Sequence, residues 1–153
     1  MASERWNVLL VSSGGGHLDQ LRRLEGWWGR HDRSWVTFDL PCARSLRGER
    51  VRFAHHPTTR NVPNLLRNVV LAWRVLRRER PDVIVSTGAG VALPFFVLGR
   101  LFGSRCVYVE VYDRIDSRTL TGRLCRPFAD AFCLQWERQR ELYGSGVVVG
   151  PLY

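Results

Sequence analysis

The sequence predicts an α/β fold, a parallel sheet with helices on both faces. Two observations carry this expectation. Short apolar runs alternate with segments of helical period from one end of the chain to the other. Two of those runs end in glycine-rich turns that each open a helical segment: Ser12-Ser13-Gly14-Gly15-Gly16-His17 and Ser86-Thr87-Gly88-Ala89-Gly90.

The elements follow in order. Residues 6–11 read as the first strand, and residues 17–29 as a helix with Leu18, Leu21, Leu24 and Trp28 on one stripe. Residues 34–39 and 51–55 are the next two strands. Residues 63–79 form a long helix, with Pro63 suited to its first turn. Residues 82–86 are a fourth strand. Residues 91–102 form a helix apolar on all sides, hence buried in the core or against something else. Residues 106–111 are a fifth strand, 119–128 a short helix, 131–135 a sixth strand, 137–143 a helix and 147–149 a last strand. No linker, repeat or low-complexity tract interrupts the pattern, so the 153 residues read as one domain, 1–153.

Composition narrows the function classes. The net charge of +9 is carried by arginine alone, since the sequence has no lysine. Arginine pairs bidentately with phosphates and carboxylates, which suits an anionic partner; an arginine-biased codon usage gives the same composition. On charge alone a nucleic acid, an anionic membrane and a diphosphate substrate all stay open. Interleaved exposed aromatics and nucleic-acid recognition motifs are missing, so nucleic acid is not an expected partner. The four cysteines form no CxxC pair and read as free thiols in a reducing cytosol. No signal peptide is read at the N-terminus. The longest apolar stretch, Val91 to Gly99, has nine residues, against about 20 for a spanning helix. Membrane contact is therefore expected to be peripheral.

A strand, then glycine and serine, then a helix start aims backbone N–H groups and a helix dipole at an anion. One such turn is also what an ordinary tight turn looks like. Two at matching places suggest a cradle large enough for a diphosphate. The first turn lacks Gly-x-Gly-x-x-Gly, because Asp19 holds the third glycine's place, and it lacks the Lys-Ser/Thr of a P-loop. A nicotinamide or ATP site is thus poorly supported. His17, at the helix start, is placed to act as a base or to bond an oxygen, or simply to bond backbone. Glu110 to Arg118 packs three acids and two arginines after an apolar strand. Glu110 near the strand end, beside Arg114, is a candidate base or hydroxyl-binding group; a solvated charged loop is the plainer alternative. Asp39 is a weaker candidate of the same kind. In this fold class ligands bind outside the carboxyl ends of the strands, where most of these groups fall. Helix 63–79 carries Arg67, Arg74 and Arg78 on one stripe and Leu66, Val69, Val70, Trp73 and Leu76 on another. That pattern fits a membrane-surface contact and equally a helix packed on the sheet. The neighbouring helix with Phe95, Phe96 and Phe102 leans toward the membrane reading.

Four segments, in this order, resemble a known family: Ser-Ser-Gly-Gly-Gly-His from residue 12, Arg-Pro-Asp-Val-Ile-Val-Ser-Thr-Gly-Ala-Gly from residue 80, Glu-Val-Tyr-Asp-Arg-Ile-Asp-Ser-Arg-Thr-Leu-Thr-Gly-Arg-Leu from residue 110 and Gln-Trp-Glu from residue 135. They look like the acceptor-side subunit of the two-subunit transferase that extends lipid-diphosphate-linked sugars, including the bacterial PssD type of exopolysaccharide and capsule synthesis. The glycine turns are more distantly similar to those of MurG. The resemblance implies a Rossmann-like domain equivalent to the N-terminal half of a GT-B glycosyltransferase. It implies transfer from a UDP-sugar to a polyprenyl-diphosphate-linked sugar, with inversion and without a metal or other cofactor. A small donor-binding (PssE-type) subunit, the lipid acceptor and a membrane surface are the implied partners. By the same resemblance Ser13, Gly14, Gly15, Gly16, Gly88, Ala89, Gly90 and Arg114 would bind the acceptor diphosphate. His17 and Glu110 would be catalytic, with the choice of base between them open. The eukaryotic members' N-terminal anchor has no counterpart here, which points to the bacterial type, cytoplasmic and peripheral at the inner face of the plasma membrane. The segment 147–153 is expected to dock onto the partner. A non-catalytic membrane scaffold that recruits the donor-binding subunit is the alternative function.

Overall fold

The computed structural model describes residues 4–153. Seven strands form one parallel sheet: β1 (Asn7–Ser12), β2 (Asp32–Phe38), β3 (Val51–Ala54), β4 (Val83–Gly88), β5 (Arg105–Val109), β6 (Ala131–Leu134) and β7 (Val147–Val148). Their spatial order is β3-β2-β1-β4-β5-β6-β7. The order reverses between β1 and β4, and each glycine turn leaves one of these two strands. Ser12 pairs with Gly88 across a register shift at the strand ends, so the turns lie side by side. This is the crevice where open α/β sheets take their ligands.

Strand alternation divides the core in two. Leu9, Val11, Ile84, Cys106 and Tyr108 face one side, covered by α3 (Val62–Glu79), α4 (Ala92–Leu101), α5 (Leu120–Cys125) and Tyr143 of α6 (Glu137–Tyr143). Val8, Leu10, Val83, Val85 and Val109 face the other, covered by α1 (Gly16–Arg22), α2 (Glu25–Trp28) and Leu46.

Three expectations need correction. The helix expected over 17–29 is two pieces, broken after Arg22; the Trp28 indole N–H donates to the Leu21 carbonyl at 3.0 Å and fills the break. The helix expected over 119–128 ends at Cys125 and tightens into a 3-10 turn that contains Pro127. Phe95 and Phe96 of α4 are fully buried against the sheet, so they present nothing to a membrane.

Helix α3 shows the opposite. Its inward positions are Asn64, Asn68, Ala72, Val75 and Leu76. Val62, Leu65, Leu66, Val69, Val70 and Trp73 face outward, and Leu66 and Trp73 are 60% and 44% exposed. A surface helix normally turns its apolar stripe to the core; α3 turns most of its stripe away. The asparagines go inward because they secure the preceding loop. Asn64 Nδ2 donates to the Pro57 carbonyl at 2.9 Å, and Asn68 exchanges two bonds with the His55 backbone.

Candidate functional site

The two turns differ in what surrounds them. A Cβ on Gly14 would lie 2.7 Å from Leu40 Cδ1 and 2.9 Å from Cys42 Sγ, so a larger residue there has to displace both side chains. Gly15, at φ 65°, and Gly16 both face open space, with nothing within 4 Å of an added Cβ. Their backbone stands at the start of α1, where the first N–H groups have no partner one turn back. The Gly15 N–H is shared with the Cys42 thiol at 3.3 Å. In the second turn Gly88 has φ 106°, and an added Cβ would meet the Tyr108 hydroxyl at 2.7 Å. Ala89 holds φ 64° without being glycine, a strained conformation of the sort that collects at ligand sites. Gly90 packs against Thr58.

His17 joins the turns. Its Nδ1 lies 2.8 Å from the Thr87 carbonyl, and the Thr87 hydroxyl donates back to the His17 carbonyl at 2.6 Å. A carbonyl only accepts, so Nδ1 carries a proton, and Nε2 is the nitrogen turned to a substrate. His17 lines a shallow cavity of about 540 Å³ together with Gly16, Gln20, Tyr112, Asp113 and Tyr153. Two other cavities, of about 580 and 640 Å³, open at the amino edge of the sheet among Arg5, Arg80, Arg105 and Glu79, away from both turns.

Ser13 and Glu110 do not reach the cleft. Ser13 is buried and its hydroxyl turns to the Gly14 carbonyl. Glu110 is 0% exposed. It shares the parity of Cys106 and Tyr108, so its side chain lies under α5 and α6. There Oε2 accepts from Thr119 Oγ1 at 2.9 Å and from the Tyr143 hydroxyl, and Oε1 accepts from the Val111 N–H at 2.9 Å. Burial, and then the bond to Glu110, pushes the Tyr143 phenol up to about 12. Burial foremost, with the Glu110 charge adding, raises Tyr108 well above its ordinary value. Arg114 is exposed and lies outside the cavity lining; only its backbone is secured, by Gln139 Nε2 at 3.2 Å. Asp39 is exposed and is not part of that lining.

Three glutamines organise the loop after β5. Gln20 Oε1 accepts from the Tyr112 N–H at 3.0 Å and from Gln135 Nε2 at 2.7 Å. Gln135 Nε2 also donates to the Glu110 carbonyl, and its Oε1 accepts from the Leu152 N–H, both at 2.9 Å. Gln139 bonds the N–H groups of Gln135 and Trp136 and the carbonyls of Val111 and Arg114. The Gln-Trp-Glu motif pointed to Gln135; no signal marked Gln20 or Gln139.

Part of the segment 147–153, for which docking onto a partner is expected, packs on this chain itself. Leu152 packs into the α1-side core, and the Tyr153 ring stands against Tyr112 with Arg23 4.1 Å above it. The Tyr153 hydroxyl, with help from Arg23, holds Asp19 below its usual range against a smaller opposing effect of burial. Among the described residues no three His, Cys, Asp or Glu side chains are grouped to hold a metal ion, and no helix is long and apolar enough to cross a membrane.

Fold and crevice define a Rossmann-like domain similar to the N-terminal half of MurG and related GT-B glycosyltransferases. The Acinetobacter baumannii MurG structure aligns with TM-score 0.77 at 18% identity, over 94% of this chain and 44% of that one. The UDP-GlcNAc 2-epimerase of Methanocaldococcus jannaschii aligns with TM-score 0.68 at 14% identity, over 88% of this chain and 41% of that one. The chain thus spans less than half of either, and at these identities the likeness is one of fold. Residues 37–152 match the family described as "Oligosaccharide biosynthesis protein Alg14 like", and the chain belongs to it. Its relatives include the mouse "UDP-N-acetylglucosamine transferase subunit ALG14", 24% identical over 97% of this chain and 84% of the relative, and that of Candida albicans, 26% identical over 95% and 77%.

Proposed function

We propose that the chain is the acceptor-binding subunit of an inverting glycosyltransferase whose donor site lies on a second, smaller subunit. The acceptor is a sugar linked to a polyprenyl diphosphate, and the donor is a UDP-sugar. The observation that carries this reading is the pair of adjacent glycine turns with His17 fixed between them. The amides of Gly16, Ala89 and Gly90 cradle the diphosphate, since the Gly15 N–H is given to the Cys42 thiol and the Gly88 N–H to the Ser86 hydroxyl. His17, held through Nδ1, presents Nε2 to the acceptor hydroxyl and takes its proton as the hydroxyl oxygen bonds to the donor's anomeric carbon. The bond from that carbon to the UDP oxygen breaks on the opposite face, and UDP leaves with the electron pair. Glu110, with three donors and no open face, positions the loop that follows it and is not the base.

The outward apolar stripe of α3, flanked by exposed Arg67, Arg74, Arg77 and Arg78, supports attachment to the cytoplasmic leaflet of an anionic membrane. The same stripe favours the scaffold reading, in which the chain only recruits the donor subunit to the bilayer. Family membership supports lipid-linked oligosaccharide synthesis; service in exopolysaccharide or capsule synthesis by a PssD–PssE type pair is the narrower version. The test is transfer from UDP-N-acetylglucosamine to a polyprenyl-diphosphate sugar by the assembled pair. Activity that needs both chains and His17 supports the catalytic reading. Full activity of the pair carrying His17→Ala supports the scaffold reading. Full activity of the isolated chain overturns the divided site.

A further inference from the structure

A second groove lies on the other side of the Gly88–Gly90 turn from His17. It has a volume of about 420 Å³ and runs between α3, α4 and α5. Val62 and Leu65 of α3, Leu93 of α4, and Leu120 and Leu124 of α5 supply apolar walls, and Gly90 and Arg60 also line it. Leu120 is 67% exposed and Leu124 44%. Paired leucines left open on a six-residue helix are costly in water unless something covers them.

We infer that this groove holds the first isoprene units of the lipid acceptor, those next to the diphosphate. The inference rests on the proposed role of the glycine turns. The turn fixes the direction. Gly88 lies beside the His17 ring, 3.5 Å from its Cε1 to an added Cβ, whereas Gly90 belongs to the groove. Two residues of chain span at most about 7 Å, the scale of one diphosphate. A diphosphate seated on this turn therefore sends its sugar toward His17 and its lipid toward Leu93, Leu120 and Leu124. Arg60 in the lining adds a cation for the phosphate next to the lipid. The groove shares Val62 and Leu65 with the outward stripe of α3. A chain leaving it thus runs onto the surface proposed to face the bilayer, and the lipid need not leave the membrane entirely for its sugar to reach His17.

The experiment is equilibrium binding to the isolated chain without vesicles, below the micelle concentration of every probe. The probes are inorganic diphosphate, geranyl diphosphate, farnesyl diphosphate and farnesol. The expected result is a rise of about tenfold per isoprene unit from inorganic to geranyl to farnesyl diphosphate, from the apolar area buried. Leu124→Glu and Leu120→Glu, both surface changes, are expected to cut the ratio of farnesyl to inorganic diphosphate affinity at least tenfold. Leu101→Glu, exposed at the far end of α4, is expected to keep that ratio. Equal affinities for inorganic and farnesyl diphosphate, or a ratio untouched by Leu124→Glu, overturn the groove and leave the diphosphate cradle standing. Farnesol binding as well as farnesyl diphosphate, or no binding of any diphosphate, overturns the cradle and this inference with it.

Discussion

His17 and Thr87 each hold the other's main chain or ring: the imidazole Nδ1 bonds the Thr87 carbonyl and the Thr87 hydroxyl bonds the His17 carbonyl. The two residues stand on turns 70 positions apart in sequence, so this exchange fixes the geometry between turns as well as the tautomer of the ring. His17→Ala in the assembled enzyme is expected to lower kcat by about 10²- to 10⁴-fold, the usual worth of a positioned general base, with KM changed far less. Thr87→Val removes only the hydroxyl. It is expected to cost about 1 kcal/mol of stability and a smaller part of kcat. Steady-state kinetics of both variants, with thermal melts, check this.

The glycines separate packing from binding. Gly16→Ala adds a methyl into open space at a helix start and is expected to leave stability unchanged or to raise it by up to about 1 kcal/mol. If the amides there hold the acceptor, the same methyl weakens acceptor binding at least tenfold. Gly88→Ala combines a left-handed backbone with a 2.7 Å approach to the Tyr108 hydroxyl, and it is expected to destabilise by about 2 kcal/mol or more. Melting curves beside acceptor titrations distinguish the two; a fully active, fully stable Gly88→Ala would contradict the structure of this turn.

Glu110 is expected to matter for stability first. Glu110→Ala leaves the Thr119 and Tyr143 hydroxyls and the Val111 N–H without their acceptor, a loss of about 3 kcal/mol or more. That corresponds to a fall in Tm of about 6–12 °C for a chain of this length. Tyr143→Phe removes one donor and should cost about 1 kcal/mol. Because the Tyr143 phenol is raised to about 12 in the fold, its stabilisation is present below pH 10 and is lost as the pH climbs from about 10 toward 12. Tyr143→Phe should flatten that alkaline limb in pH-dependent denaturant melts.

Glu49 sets an acid limb. Burial acts to raise its carboxyl, but the Arg33 fork at 2.9 and 2.7 Å and the Trp35 indole at 3.0 Å outweigh it and hold it below its ordinary 4.5. A lowered folded pKa means stability that is present above pH 4.5 and is lost as the pH falls below it. Glu49→Gln should remove about 2 kcal/mol at pH 7 and make the remaining stability less sensitive to pH below 4.5. A variant whose acid limb matches the parent's would assign that limb to other carboxylates.

The α3 stripe is tested on vesicles. Leu66→Glu and Trp73→Glu place charges where the side chains are already exposed, so folding should be unaffected within about 0.5 kcal/mol. Binding to vesicles rich in anionic lipid should fall at least tenfold, and binding of the parent should weaken with added salt. Sedimentation of the chain with such vesicles reads both.

Much of this was legible in the sequence, and the failures have physical causes. The strands stood out because a sheet covered on both faces demands unbroken apolar runs. The turns stood out because each sets glycines between an apolar strand and a helix start. The break after Arg22 was hidden because Leu18, Leu21 and Trp28 keep one helical stripe across it. The orientation of α3 was hidden because its core face carries Asn64 and Asn68, polar groups that bind loop backbone invisible to periodicity. Glu110 was misread because a carboxylate at a strand end suggests a cleft. Counting back by twos to Tyr108 and Cys106 would have placed it on the face covered by α5 and α6.

The loop from Glu110 to Arg118 carries more formal charge than any comparable stretch of the proposed acceptor edge, yet Gln20, Gln135 and Gln139 organise it. Amides neither titrate nor attract counterions. A loop secured by ion pairs alone would loosen as salt rises; the bonds from these three amides are not screened in that way. Glu110 is spent in the frame and Asp116 meets Arg138 at 3.7 Å, which leaves the exposed side chains of Asp113, Arg114 and Arg118 to meet whatever arrives.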